Sequence, residues 1–425
     1  MKRYYLLSLG CPKNLVDSER MAALAARGGW SSTDSPESAD LLLVNTCGFI
    51  RDAKDESIDA ILELAEVKKP GAKLVATGCL VQRYFNELDL PEAHLLRLKD
   101  FAGIAALFGA DGPDAGRRLL TPPHTAYLRI SDGCDNRCAY CAIPLIRGPL
   151  CSEPLEALVA EARTLAARGV KELIITAQDT AQYGLDTHGR SLLPDLLRRL
   201  HDIAPLRWLR LMYLHPAHID DRLLATIAAL PKVLRYLDIP LQHSEDEVLA
   251  AMGRRIDRKG IERLLARVRE ALPGVAIRTT MLVGHPGETP AAARALKAFV
   301  RQQRFERLGV FAYSPEDGTP AAEMQQVPRR NALRRQDALM AMQQDISQQW
   351  LAEMLGQRVE VLVERPGRDT GIVWEGRATF DAPDVDGIVL ITDGEAAVGD
   401  IVEVEVTDSW EYDLIGKIVS GNSPN

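Results

Sequence analysis

Nowhere in the 425 residues is there an unbroken apolar run of about eighteen, which excludes an ordinary membrane-spanning helix. The start of the chain lacks a small-residue cleavage site. Its short apolar run after Lys2-Arg3 passes straight into Gly10-Cys11 and reads as a first strand, not a secretory leader. The seven cysteines are an odd number, and three crowd together without evident pairing partners. A disulfide framework is therefore not expected, and the protein is expected in the cytoplasm. Positive charge is also short. The net charge of −8 argues weakly against a nucleic-acid binder, and it is unevenly placed: the segment from Arg358 onward carries −10 and the remainder +2. The composition is otherwise that of a soluble protein, 46% hydrophobic and 26% charged, long enough for two or three domains and a large core.

The chain is organised around Cys134-Asp135-Asn136-Arg137-Cys138-Ala139-Tyr140-Cys141, three cysteines spaced C-x3-C-x2-C just after a strand. Structural zinc wants four ligands, usually from a second CxxC or a downstream Cys/His pair. The only later cysteine is Cys151, and the eight histidines are scattered, so zinc fits poorly. Three thiolates suit a four-iron, four-sulfur cluster with one iron left open to a reacting ligand. Cys151 reads as a buried or incidental thiol.

Before this loop, Arg3–Leu9, Leu41–Val44 and Lys73–Ala76 are apolar strands alternating with helical stretches Asn14–Arg27 and Asp52–Val67, the pattern of a parallel α/β sheet. Each strand ends at a cysteine beside a glycine: Gly10-Cys11, Cys47-Gly48 and Gly78-Cys79. One such cysteine reads as packing. Three at equivalent strand ends, where parallel sheets gather ligands, read as a second three-cysteine cluster site, the alternative being three unrelated core thiols. Turn formers fill residues 111–124, a linker separating an N-terminal domain, 1–110, from a central one, 125–355.

The central domain repeats strand and helix about six times, through Ala126–Ile130, Glu172–Ile175, Trp208–Tyr213, Tyr236–Ile239, Ala276–Val283 and Leu308–Tyr313. This pattern suggests an open, TIM-like (β/α)6 barrel with its cluster loop after the first strand. Gln178-Asp179-Thr180, Gln242-His243 and Gly284-His285-Pro286-Gly287-Glu288 end later strands, where capping and ligand contact are equally open readings. His243 and His285 have no partner at fixed spacing, so no acid–base role is assigned to either. Beyond a long helix, Arg329–Leu355, short β-branched segments between turns imply a small antiparallel barrel over 356–425. Trp374, Phe380, Trp410 and Tyr412 read as core or turn packing in preference to a base-stacking platform.

In this order the three segments resemble the methylthiotransferases of the radical S-adenosylmethionine (SAM) superfamily: an N-terminal three-cysteine domain, a radical SAM barrel and a C-terminal TRAM domain. The residues that carry the resemblance are the 134–141 loop, Gly10-Cys11-Pro12-Lys13-Asn14-Leu15-Val16-Asp17-Ser18-Glu19, Gln178-Asp179-Thr180, Asp238-Ile239-Pro240-Leu241-Gln242-His243 and Tyr412-Asp413-Leu414. They are most similar to the branch that modifies an aspartate of small-subunit ribosomal protein twelve. His285 departs from the pattern, where an aromatic such as Phe is expected.

The resemblance implies two 4Fe-4S clusters, one on Cys134, Cys138 and Cys141 and an auxiliary one on Cys11, Cys47 and Cys79. It places Tyr140 and Gln178 toward SAM and assigns no catalytic residue beyond the cluster ligands. It further implies an electron donor, and as partner the ribosomal protein or the assembled small subunit. The acidic tail suits a basic protein and disfavours a tRNA backbone, the substrate of the sister branch. From another class, a non-enzymatic iron–sulfur scaffold would need clusters but no SAM.

Overall fold

The computed structural model describes residues 2–419; Met1 and the end of the expected C-terminal domain, 420–425, lie outside the described residues. The chain divides into two compact units. One comprises the segment up to Thr121 with Tyr127–Cys151 and Ser314–Ala322; the other comprises Pro122–Ala126, Ser152–Tyr313 and the segment from Glu323 on.

The first unit is built on a five-stranded parallel sheet in the order Ser31–Ser32, Arg3–Ser8, Leu41–Thr46, Lys73–Gly78, His94–Leu95. Leu41–Thr46 is buried along its whole length because both of its faces are covered, which is why it reads as an unbroken apolar run. Leu41 and Leu43 join Tyr4, Met21, Leu24 and Phe108 on one face, while Leu42 and Val44 join Ile61, Leu64 and Leu74 on the other. The helix Pro12–Arg27 buries an apolar stripe and also part of its polar face: Asn14, Asp17, Ser18 and Glu19 are all fully buried. Residues 111–121, read as linker, are pinned to this helix. Arg117 Nε donates to Glu19 Oε2 at 3.0 Å and the Leu120 N–H to Glu19 Oε1 at 3.0 Å.

In the second unit the strands Glu172–Thr176, Trp208–Leu211, Val233–Asp238, Ala276–Val283 and Arg307–Ala312 run parallel in sequence order. The edge strand Thr125–Arg129, which starts in this unit, completes a six-stranded open sheet. Between these strands run helices such as Leu193–His201, whose buried Leu193, Leu196, Leu197 and Leu200 follow the helical repeat. Asp257 and Thr289 cap Arg258–Ala271 and Pro290–Gln303, accepting from the Gly260 and Ala292 N–H groups. This is the (β/α)6 arrangement that the repeating pattern implies.

The C-terminal segment closes into a five-stranded barrel, Arg358–Pro366, Trp374–Ala378, Val389–Asp393, Leu414–Ile418 and Ile401–Ser409. Val361, Val363, Val404 and Val406 alternate inward around its core. One pairing is parallel, Val389–Asp393 with Leu414–Ile418; the others are antiparallel. Trp374 and Phe380 pack against this core as expected, whereas Trp410 and Tyr412 are exposed.

A buried ion network joins the two parts of the second unit. Glu172, the first residue of its strand, accepts from Arg210 Nε at 2.7 Å and from Arg377, whose Nε in turn reaches Glu364 at 2.7 Å. Glu172, Arg210 and Arg377 are almost wholly excluded from solvent. The acidic surplus of the tail is therefore not all on the surface: Glu375, Asp381 and Asp386 are buried against arginines.

Candidate functional site: two cysteine trios in the first unit

Cys11 is the N-cap of the helix Pro12–Arg27, Cys47 follows directly on Thr46, and Cys79 opens the short helix Cys79–Tyr84. Parallel strands deliver all three to one edge of the sheet. Their loops are laced together: Asn14 Nδ2 donates to Leu9 O at 3.0 Å and Thr46 O at 2.8 Å, and Asn45 Nδ2 donates to Asn14 O at 2.8 Å. Ser57 Oγ accepts from the Cys47 N–H at 3.0 Å and donates to Cys47 O at 2.9 Å.

The adjacent glycines let the loops approach one another, and so bring the thiols together. At Gly78, with φ of 101°, a Cβ would lie 2.5 Å from Thr46 N and O. At Gly10, φ is 86° and a Cβ would lie 2.9 Å from Cys47 Sγ. Gly10→Ala is therefore expected to displace Cys47 and cut the iron retained after anaerobic reconstitution by about half, with far-ultraviolet circular dichroism nearly unchanged. Full iron retention would show that the approach is not needed.

The three thiols feel one another's charge but differ. Burial pushes the Cys79 thiol up to about 12, over the opposing pull of Arg147. Burial likewise raises Cys47, with Cys11 adding to it. Cys11 goes the other way: burial opposes ionisation, but Lys13, Arg147 and the N–H groups at the helix start overcome it.

The second trio lies in the same unit. Cys134, Cys138 and Cys141 are half-buried, as is Tyr140. The Cys134 N–H donates to Gly148 O at 3.1 Å, the Cys141 N–H to Cys138 O at 3.0 Å, and the Ala321 N–H to Ala139 O at 2.9 Å. Cys79 packs with Ala142 and Ile146, so the auxiliary trio abuts the residue next to Cys141. Cys151 is exposed, not buried. It stands in a two-residue strand whose neighbour, Ser152, holds Asp186.

In the second unit, the strand ends carry the remaining expected residues. Gln178 is half-buried directly after Ala177. Asp179 accepts from the N–H groups of Ala181 at 3.2 Å and His215 at 3.3 Å, and lies 2.7 Å from His218 Nδ1. Asp179, His215 and His218 converge within 4.8 Å. Burial and then Arg254 hold His215 down to about 3, which keeps its imidazole neutral. Tyr213 and Gln242 take left-handed backbone conformations, φ 59° and 72°, just past their strands.

His243 is tied by structure. Its Nδ1 accepts from the Glu245 N–H at 3.1 Å and its Nε2 lies 3.6 Å from Glu288, which Arg335 holds at 2.7 Å. His285 fills an aromatic position: fully buried, it packs edge-on against Tyr313 with ring centroids 5.3 Å apart.

Sequence reading missed Arg147, Asp132 and the pair His215 and His218. One signal was available, because polar side chains at Asn14, Asp17 and Ser18 share a face of a helix that the apolar pattern says is buried.

Three thiolates per site, one site beside arginine and a helix N-terminus, form a donor set suited to iron–sulfur clusters. An open parallel barrel whose first strand leads into C-x3-C-x2-C defines the class: a radical SAM enzyme. Models of the uncharacterized protein family UPF0004, the radical SAM superfamily and the TRAM domain match residues 3–95, 128–300 and 355–419. The chain is 48% identical over 438 aligned residues to the ribosomal protein uS12 methylthiotransferase RimO of Anaeromyxobacter sp. (strain Fw109-5), covering 98% of this chain and 93% of that one. It is 47% identical to that of Pelobacter propionicus, covering 97% of each. Among solved structures, the radical SAM methyltransferase TsrM from Kitasatospora setae, with tryptophan substrate and a SAM analogue bound, shares the fold at TM-score 0.55. That match has 17% identity and covers 76% of this chain and 75% of that one. The chain belongs to the ribosomal protein uS12 methylthiotransferase family.

Proposed function

We propose that this chain adds a methylthio group to the β-carbon of an aspartate in ribosomal protein uS12. Near full-length kinship to uS12 methylthiotransferases carries the reading. In it, Cys134, Cys138 and Cys141 hold the 4Fe-4S cluster that binds SAM, and Cys11, Cys47 and Cys79 hold the auxiliary one. When bound, these groups supply a radical able to take hydrogen from an unactivated carbon and the sulfur that replaces it.

The protein's part is to bind, orient and shield. Three thiolates per loop would leave one iron of a 4Fe-4S cluster open, and in this reading Tyr140 and Gln178 would contact SAM. Exposed acids of the C-terminal barrel, among them Asp384, Asp393, Glu403, Glu405 and Asp408, favour a basic protein over a phosphate backbone. Among the described residues no helix is long and apolar enough to cross a membrane. Seven free cysteines suit a reducing cytoplasm with an electron donor at hand.

Incubation of the reconstituted protein with SAM, a strong reductant and either free uS12 or small ribosomal subunits tests this by mass spectrometry. A gain of CH2S on one aspartate of uS12 is expected, along with 5′-deoxyadenosine. Methylthiolated adenosine in tRNA with uS12 untouched would overturn the substrate, and absence of 5′-deoxyadenosine would leave only a scaffold.

A further inference from the structure

Arg147 lies six residues beyond Cys141, yet its side chain reaches the other trio. Nη2 donates to Asn14 Oδ1 at 2.6 Å and Asp17 Oδ2 at 3.2 Å, and lies 3.6 Å from Cys79 Sγ. Nη1 takes both oxygens of Asp132, at 3.1 and 3.0 Å. The two carboxylates are shared: Asp17 also binds Arg129 Nη1 at 2.6 Å, and Asp132 binds Lys99 Nζ at 2.6 Å. Arg147, Arg129, Asp17 and Asp132 are almost entirely out of solvent.

The buried part of the network, Arg147 and Arg129 against Asp17 and Asp132, is balanced in charge, and Lys99, 40% exposed, reaches Asp132 from the solvent side. Beyond its carboxylate and amide partners, Arg147 makes a further contact, to the Cys79 sulfur.

We propose that Arg147 is a positioning residue that donates to the Cys79 thiolate and raises the reduction potential of the auxiliary cluster, from the segment that carries the SAM-binding trio. This rests on the reading that Cys11, Cys47 and Cys79 hold a cluster. A charged N–H···S contact withdraws density from the sulfur, and a fixed positive charge in a low-dielectric site favours the more negative, reduced state. Asn14 and Asp17 fix the fork from the helix that Cys11 caps, so the guanidinium cannot turn away without breaking the Asp132 contact.

The test is an EPR-monitored redox titration of the anaerobically reconstituted full chain, after iron and sulfide counts. Arg147→Met is expected to shift the reduction equilibrium of one cluster at least tenfold toward the oxidised state, about 59 mV for one electron, and to leave the other unmoved. Arg147→Lys, which keeps the charge but not the fork, should fall between. Asp132→Asn, which removes one counter-charge, should shift the same cluster the opposite way; it serves as a second probe if Arg147→Met loses iron. Two clusters with unmoved potentials in Arg147→Lys and Asp132→Asn would reduce Arg147 to a structural tie. A wild-type chain that holds a single cluster overturns the ligand reading itself.

Discussion

Cys79→Ala protein is expected to cleave SAM to 5′-deoxyadenosine at a rate near that of the unsubstituted protein while methylthiolated uS12 falls below detection. The reason is the division of labour proposed for the two trios. Cys79 stands at the start of its helix with Arg147 on its sulfur, and packs against Ala142 and Ile146, just past the 134–141 loop. Alanine keeps most of that contact, so the 134–141 loop should hold its shape. Loss of one thiolate from a three-ligand site leaves two, too few to retain a cluster. Iron per chain should then fall by about half. Measuring 5′-deoxyadenosine, iron and product in one sample separates the outcomes: persistent product would show that Cys79 holds nothing the reaction needs. Loss of SAM cleavage as well would mean that the two sites do not stand independently.

Glu172→Gln should cost about 3–5 kcal/mol of stability, because it leaves Arg210 and Arg377 buried opposite an uncharged amide. The effect has a pH signature. Burial disfavours the charged form of Glu172, but Arg377 and then Arg210 outweigh it and bring the carboxyl from 4.5 down to about 2. The unfolded chain therefore binds the proton first as pH falls. The stabilisation is present above pH 4.5 and is lost between there and about 2, roughly 3 kcal/mol in all. Thermal melts of the unsubstituted protein should steepen in their pH dependence across that window, and Glu172→Gln should lack that part of the slope. Equal slopes in the two proteins would show that the network does not hold the carboxyl ionised.

Much of the fold was legible because the parallel strands are buried on both faces and read as apolar runs. Leu41–Thr46 and Glu172–Thr176 are the clearest cases. Ser31–Ser32 and His94–Leu95 were not legible, since a two-residue edge has no periodicity. Trp374–Ala378 was hidden for a different reason. Its Gly376 and Arg377 look like a turn, and a buried arginine there is tolerable because Glu364 and the Glu172 carboxylate, some two hundred positions earlier in the chain, pair with it. Pairing of Val389–Asp393 with Leu414–Ile418 in parallel needs the chain to cross the barrel, which no local pattern records.

At the site, spacing singled out Cys134, Cys138 and Cys141 as candidate ligands, and repetition at strand ends did the same for Cys11, Cys47 and Cys79. Arg147 escaped because a lone arginine in a short helix carries no pattern; its importance comes from four partners scattered between Asn14 and Asp132. His285 shows the reverse: an apparent departure that packing explains, its ring lying against Tyr313 as an aromatic would.

The central claim is that each trio of thiols holds its own cluster. Iron and acid-labile sulfide counted per chain after anaerobic reconstitution, with Mössbauer spectra on the same sample, test it most directly. The account predicts about eight irons, all in 4Fe-4S form, falling to about four when either trio is changed to alanine and to none when both are. A chain that saturates at about four irons, and keeps them when Cys11, Cys47 and Cys79 are all replaced, would contradict it.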